Sequence, residues 1–209
     1  MLQLLEPTLS QARMGTYMLE AGHDEARALQ LYQWNAQLGE AFHLPIQAVE
    51  IALRNRINAV LVSKFGANWW SSTAFLSLAD GRQIAAIDEA KARIGKRGQA
   101  VVTGQIVAGL SFGFWVSMLD ARYNPSVWSH ALATGFPDLP AGKSRDDLQK
   151  VSRQIAKFRN RISHHEPIFK ANITAEYSKC VELLGWLCTH KLGWIKPQCK
   201  VMAVLRQKP

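Results

Sequence analysis

Apolar residues recur at intervals of three and four along almost the whole chain, which is the spacing of one face of an α-helix. One such stripe is formed by Val49, Leu53, Ile57 and Val60. The period-two alternation that is typical of half-buried strands is not sustained anywhere. The pattern therefore predicts an all-α fold in a single domain over residues 1–209. The expected helices cover residues 9–21, 24–43, 45–65, 81–95, 145–162 and 172–192, with two shorter pieces within 101–119.

Residues that typically start and stop helices set these boundaries. Asp24 is suited to cap one helix, and Ser144 with Asp147 three residues later resembles a capping box. Pro45 fits the first turn of a helix, so we expect a new helix to begin there. Pro167 disfavours helical geometry at the residue before it, and the helix that starts after Ser144 is therefore expected to end near residues 164 and 165.

Three segments depart from the regular helical pattern. The prolines and glycines within residues 122–142 favour a long irregular connection. The basic tail, from about residue 196 to 209, is expected to be ordered only in part. Residues 98–119 are uncharged, but their glutamines, serines and glycines are too polar for a convincing membrane span. We expect a buried pair of helices there and no membrane partner.

The composition allows a sizeable core, because 48% of the residues are hydrophobic and 20% are charged. The positive charge is unevenly placed. Residues 141–209 hold 14 of the 25 basic side chains but 5 of the 16 acidic ones, and so carry the whole net charge of +9. RNA, DNA and a membrane surface are candidate partners for such a region, and a solvated basic face explains it equally well.

The cysteines and histidines outside the basic helix give little indication of chemistry. Cys180, Cys188 and Cys199 have neither disulfide nor zinc spacing, and we expect buried thiols in a cytoplasmic protein without a metal site or cofactor. The N-terminus lacks the basic start of a signal peptide. The other isolated histidines, which are His23, His43 and His130, are assigned no role.

One stretch in the basic third, from Phe158 to Phe169, places a cation, an amide and two imidazoles at the expected end of a helix. On an α-helix Asn160 and His164 share a face, and so do Arg161 and His165. Arg159 and His164 are about 140° apart around the axis. They converge only if the helix unwinds or if both reach across a groove.

These residue types are sufficient for RNA cleavage, because the 2′-hydroxyl is a nucleophile that the substrate itself supplies. A histidine can accept or donate a proton near neutral pH, and an arginine can stabilise negative charge that builds up at phosphorus. Asn160 could orient the imidazole or the substrate. The alternative is a helix end whose cations favour the helix dipole, with Glu166 pairing with one of them.

The letters RNRI occur twice, at residues 54–57 and 159–162, and the first copy lacks a following histidine. Glu50 and Arg54 are four residues apart on a predicted helix, which favours an ion pair between them. The alternative is that Arg54 and Asn55 line the same cleft as the second copy.

The segment Arg159-Asn160-x-x-x-His164 resembles the R-x4-6-H motif of HEPN (higher eukaryotes and prokaryotes nucleotide-binding) ribonucleases. The longer string RNRISHHEPIF resembles the Abi-like abortive-infection branch of that superfamily. Two companion segments are similar to the same branch, namely Glu50-x-x-Leu53-Arg54-Asn55 and the run from Leu110 to Trp115. Together the three segments span residues 45–170.

The resemblance implies an all-α, HEPN-like helical bundle with extra helices. The implied activity is that of a metal-independent endoribonuclease in phage defence or a toxin–antitoxin system, which leaves a 2′,3′-cyclic phosphate. Because the chain holds one intact motif, a composite active site would need a homodimer. An RNA or protein antitoxin is a further expected partner.

The resemblance assigns catalysis to Arg159, Asn160 and His164, with Arg161, His165 and Glu166 in supporting positions. The main alternative is a non-catalytic HEPN module that binds RNA, a nucleotide or a partner protein. A membrane-acting toxin that uses residues 98–119 is a third alternative.

Overall fold

The computed structural model describes residues 2–96 and 101–209, and within them it contains helices and no strand. The expected all-α class is confirmed. The helices are α1 (Leu2–Leu9), α2 (Gln11–Glu20), α3 (Glu25–Phe65), α4 (Thr73–Leu76), α5 (Gly81–Gly95), α6 (Thr103–Gly109), α7 (Phe112–Ser117), α8 (Ser129–Gly135), α9 (Arg145–Ser163), α10 (Ile173–Leu187), α11 (Thr189–Ile195) and α12 (Val201–Leu205).

Helix α3 is the central element, with α2, α7, α8, α9, α10, α11 and α12 all packed against it. The Asp24 side chain caps its first turn by accepting a hydrogen bond from the Arg27 amide. Gly66, at φ 88, ends it in a conformation that favours glycine. Its buried apolar residues continue at helical spacing over its whole length, as Leu31, Trp34, Leu38, Phe42, Ile46, Val49, Leu53, Ile57 and Val60.

The helix break that we expected at Pro45 is wrong, because α3 runs without interruption for 41 residues. A proline inside a helix removes one backbone hydrogen bond and costs about 3 kcal/mol. Here Phe42 and Ile46, on either side of Pro45, are both buried in the same core. Because the apolar stripe keeps its register across the proline, burial along a continuous helix outweighs that cost.

The long irregular connection expected over residues 122–142 is wrong for residues 122–135. A 3-10 turn (Ala121–Tyr123), a π-helical turn (Asn124–Trp128) and α8 follow one another there. Trp128 is buried, and its indole donates a hydrogen bond of 2.8 Å to the Met118 carbonyl. Tyr123, Val127 and Phe136 are buried as well. These apolar anchors hold the segment in place despite its prolines.

The single helix expected over residues 172–192 is also wrong, because it is divided into α10 and α11 at Cys188. The Arg56 side chain donates a 2.9 Å hydrogen bond to the Leu187 carbonyl, which lies in the last turn of α10. Cys188 is extended, and its sulfur accepts a hydrogen bond from the Lys191 amide at the start of α11. The break therefore depends on a contact with α3 that is remote in sequence.

The basic tail is more ordered than expected. A 3-10 turn (Lys196–Gln198) leads into α12, where Val201 is fully buried. The Trp34 indole of α3 donates a 2.8 Å hydrogen bond to the Val204 carbonyl. Lys208 forms a 3.2 Å ion pair with Glu20 of α2. These contacts attach the tail to α2 and α3.

The uncharged segment forms the two expected short helices, α6 and α7, although residues 98–100 lie outside the described part of the chain. Ser111 caps α7 by accepting a 3.2 Å hydrogen bond from the Phe114 amide. Phe112, Phe114 and Trp115 are buried. Among the described residues, no helix combines the length and the apolar character that crossing a membrane requires.

Candidate active site

Helix α9 carries the candidate motif on an amphipathic scaffold. At its start, Ser144 and Asp147 form the expected capping box, with the Asp147 carboxylate accepting a 2.8 Å hydrogen bond from the Ser144 amide. Hydrogen bonds from Ser144 lower the pKa of Asp147. Ile155 and Phe158 are buried, and the Phe158 ring packs edge-on against Phe42 of α3 at 4.8 Å. The polar residues that follow therefore lie at the surface, beside α3.

The end of α9 is a tight turn, close to where Pro167 predicts it. The His164 amide donates to the Asn160 carbonyl and the Glu166 amide donates to the Arg161 carbonyl, both at 2.9 Å. His165 has a φ of 55, in the left-handed region that few residues other than glycine adopt. The chain therefore leaves the helical conformation directly after His164.

Three further contacts hold this turn. The Arg161 guanidinium donates to the Glu166 carboxylate at 3.0 Å and to the Pro167 carbonyl at 3.2 Å. Arg13 of α2 donates to the His165 carbonyl at 2.7 Å. The charged groups of Arg161 and Glu166 are thus paired with each other.

The side chain of Asn35, in α3, also holds this turn through hydrogen bonds to its backbone. Its side-chain oxygen accepts hydrogen bonds from the amides of Ile168 at 2.8 Å and Phe169 at 3.2 Å. Its side-chain nitrogen donates to the Glu166 carbonyl at 3.3 Å. No role was expected for Asn35, whose only signal in the sequence is that it is a polar residue within the apolar face of α3, next to Trp34.

Arg159 extends into a cleft of about 410 Å³ between α3 and α9, which we call the Arg159 cleft. Its Nε lies 4.0 Å from Oε2 of Glu50, and both side chains are partly exposed. Arg54 lines the cleft as well. Among the described residues, the Glu50 carboxylate is paired with Arg159 and not with Arg54, and the Arg54 Nε contacts Asn55 at 3.4 Å.

The structure does not bring all three motif residues into this cleft. Asn160 and His164 are exposed, and in the described part of the chain neither of them lines the Arg159 cleft. Asn55 is exposed too and lies outside it. This separation follows from helical geometry, because residues five positions apart point in different directions when the helix stays wound to its last residue.

A second cleft, of about 470 Å³, lies at the other side of the turn, and we call it the His165 cleft. Arg13, Asn35 and His165 line it. The two clefts share the lining residues Gly39, His43, Ile162 and Ser163 and so form one continuous depression, the α3–α9 groove.

Gly39 of α3 lies opposite Ile162 of α9 in the lining that the two clefts share. A Cβ atom at Gly39 would lie 3.5 Å from Cγ2 of Ile162, which is ordinary van der Waals contact. His43, one turn along α3, is exposed and lines both clefts. No role was expected for His43, although its spacing of four from Gly39 and seven from Glu50 places all three on one face of α3.

The groove has a mixed charge, with its cations at both ends. Arg13 lies at one end, and Arg54 and Arg159 lie at the other, beside the carboxylate of Glu50. Lys191 of α11 lies close to Arg54; burial lowers the pKa of Lys191 and Arg54 lowers it further, while Cys188 opposes the shift. Positive charge therefore extends from the Arg159 cleft toward α11.

The cysteines are free thiols, and Cys180 is buried. Burial raises the pKa of Cys180 to about 12, so this thiol stays protonated at neutral pH. In the described ranges, no three side chains of histidine, cysteine, aspartate or glutamate are placed to hold a metal ion.

Comparison with known proteins adds no assignment: no protein-family model matches the sequence, and neither a curated protein nor a solved structure is significantly similar to it.

Proposed function

We propose that this protein is a metal-independent endoribonuclease of the HEPN type, which acts in phage abortive infection or as the toxin of a toxin–antitoxin system. One observation carries the proposal. Two of the segments that resemble the Abi-like branch contain the letters RN, and these two RN pairs lie more than 100 residues apart in the chain. Their side chains Glu50, Arg54 and Arg159 meet in one cleft.

Arg159 has the chemistry that the transition state requires. A guanidinium stays charged at any relevant pH and can contact two phosphate oxygens at once. Its 4.0 Å pair with Glu50 is partly exposed, and such pairs contribute about 0–1 kcal/mol. A substrate phosphate can therefore take the place of Glu50 at little cost, while Glu50 keeps the guanidinium directed into the cleft beforehand.

The reaction needs no reagent beyond RNA. The 2′-oxygen attacks phosphorus, so that a P–O2′ bond forms while the P–O5′ bond breaks. One proton leaves the 2′-hydroxyl and one is added to the departing 5′-oxygen, which gives a 2′,3′-cyclic phosphate and a 5′-hydroxyl. We assign one of these transfers to His164, charge stabilisation to Arg159 and orientation to Asn160.

A homodimer would complete this site. Because His164 and Asn160 are exposed at the end of α9, they are free to face the Arg159 cleft of a second copy. Two copies would also bring together two basic surfaces that repel each other. RNA bound between them would offset this repulsion. We propose a cytoplasmic homodimer with RNA as substrate and with an RNA or protein antitoxin as its inhibitor.

The direct test is cleavage of a panel of RNAs by the purified protein in EDTA. We expect cleavage with 2′,3′-cyclic phosphate ends, a loss of at least about 100-fold in His164→Ala and no loss in His130→Ala, a matched variant at an exposed histidine of α8. The proposal fails if the wild type cleaves nothing, or if His164→Ala cleaves as well as the wild type.

A non-catalytic HEPN module that binds RNA is the second candidate. It is favoured by the separation of His164 from the Arg159 cleft within one chain and by the concentrated charge of residues 141–209. Such a module would bind RNA with a steep salt dependence and without turnover. Binding titrations at several salt concentrations, run beside the cleavage assay, distinguish the two candidates.

A further inference from the structure

His43 has the most unusual position among the histidines that the RNA-cleavage motif does not include. It lies on the face of α3 that also carries Gly39, Glu50 and Arg54, all of which line the α3–α9 groove. It lines both clefts of that groove, and its side chain is exposed to solvent. It therefore stands where the two clefts join.

The contacts on either side of His43 locate it relative to Arg159. Gly39 approaches Ile162 of α9, and Glu50 pairs with Arg159, so the two helices run in opposite directions along the groove. His43 lies between these two levels on α3. At about 1.5 Å per residue, it is roughly 10 Å along the helix axis from Glu50, a span that the long Arg159 side chain partly covers.

The groups that face His43 are both basic and acidic. Arg13 and Tyr17 of α2 line the His165 cleft, together with Tyr32 and Glu40 of α3 and with His165 and Glu166 of the turn after α9. Glu50, Arg54 and Arg159 line the other cleft. A polyanionic strand that follows the groove would meet cations at both ends and the imidazole of His43 between them.

We propose that His43 is a further catalytic residue, which carries out one of the two proton transfers at the phosphate held by Arg159 of the same chain. This proposal rests on the proposed ribonuclease function. In the cleavage step, a neutral imidazole removes the 2′-hydroxyl proton as the P–O2′ bond forms, and an imidazolium protonates the 5′-oxygen as the P–O5′ bond breaks. His43 performs one transfer and His164 of a second copy performs the other.

The test is the pH profile of the cleavage rate for His43→Gln. With two histidines at work, the wild type should give a bell-shaped profile, because one imidazole must be neutral and the other charged. His43→Gln should lower kcat by about 100-fold or more and should remove one limb of the bell. Loss of the acidic limb identifies His43 as the base, and loss of the alkaline limb identifies it as the acid.

His23→Asn is the matched control, since His23 precedes α3, whose first residue lies about 27 Å along the helix from His43. Asparagine tolerates the φ of 67 that His23 adopts. Both variants should bind an RNA analogue with a 2′-deoxy group at the cleavage position within about twofold of the wild type. If His43→Gln does not fold, His43→Asn replaces it in the same assay.

The outcomes separate this proposal from the proposed function. If the wild type cleaves RNA and His43→Gln keeps its kcat and both limbs of the profile, the assignment of His43 is wrong and the ribonuclease function stands. A variant that loses binding to the deoxy analogue but keeps kcat also overturns a catalytic role. If the wild type does not cleave RNA at all, both proposals fall.

Discussion

The two ends of the α3–α9 groove differ in how their polar groups are engaged. In the Arg159 cleft the guanidinium and Glu50 are partly exposed and 4.0 Å apart, so their pairing is weak. In the His165 cleft the side chain of Asn35 and the guanidinium of Arg13 are held in short hydrogen bonds to the backbone of the turn. The groups of the first end are only weakly paired, whereas Asn35 and Arg13 at the second end also hold the turn in shape.

The two ends should therefore respond differently to substitution. Replacing Asn35, which hydrogen-bonds the backbone of the turn, should change the free energy of unfolding. Replacing Arg159 or Glu50, which are only weakly paired, should change RNA binding or cleavage. Four substitutions test this division, from the largest expected effect to the smallest.

Arg159→Ala should reduce kcat/KM for RNA cleavage by about 100- to 1,000-fold, the usual effect of removing one group that stabilises transition-state charge. Its free energy of unfolding should change by less than about 1 kcal/mol, because the side chain is exposed and weakly paired. Cleavage kinetics and urea unfolding measure the two quantities. A wild-type rate for this variant would remove Arg159 from the site.

Asn35→Ala should lower the free energy of unfolding by about 1–3 kcal/mol, because the amides of Ile168 and Phe169 lose their acceptor. Urea unfolding measures the effect. Gln33→Ala, at an exposed position of the same helix, should stay within about 0.5 kcal/mol of the wild type. Equal stabilities for the two variants would contradict the supporting role of Asn35.

Glu50→Gln should strengthen RNA binding several-fold at low salt, since it removes a negative charge beside the guanidinium of Arg159. The gain should shrink as salt is added. Titrations of a 2′-deoxy analogue at two salt concentrations measure it, with Glu182→Gln as the control at an exposed carboxylate of α10. Weaker binding of Glu50→Gln would mean that the carboxylate itself contacts the ligand.

Glu166→Gln should have the smallest effect, a loss of at most about 1 kcal/mol in the free energy of unfolding and no change in cleavage rate. The Glu166 carboxylate is exposed and pairs with Arg161, which still donates to the Pro167 carbonyl without it. Thermal unfolding at low and high salt measures the change. A large loss of activity in this variant would place the turn itself in the active site.

The local features of α9 could be predicted from the sequence because they depend on neighbouring residues. The capping box at Ser144 and the end of the helix before Pro167 both follow from short-range geometry. The prediction at Pro45 was wrong because it used only local geometry. A proline locally favours a helix start, whereas the burial of the residues around Pro45 is decided by the whole core.

The arrangement of the groove could be predicted only in part. The RN repeat left two alternatives for Arg54, an ion pair with Glu50 or a place in the cleft of the second copy, and the structure places Arg54 and Arg159 in one cleft. The sequence did not indicate the places of His43 and Asn35 in the groove, because each of them faces residues that are more than 100 positions away in the sequence. The tail was misjudged likewise, since its order depends on α2 and α3.

The hydrogen bond between Trp34 and Val204 joins residues that are 170 positions apart, and it bears on how the protein is made. During synthesis α3 and α9 leave the ribosome well before α12 does. A nascent chain that ends between α9 and α12 would therefore carry every candidate catalytic residue. In that chain α12 would not yet cover the surface of α3 around Trp34. Translation of residues 165–204 thus sets a delay between the appearance of the motif and the formation of the contact with Val204.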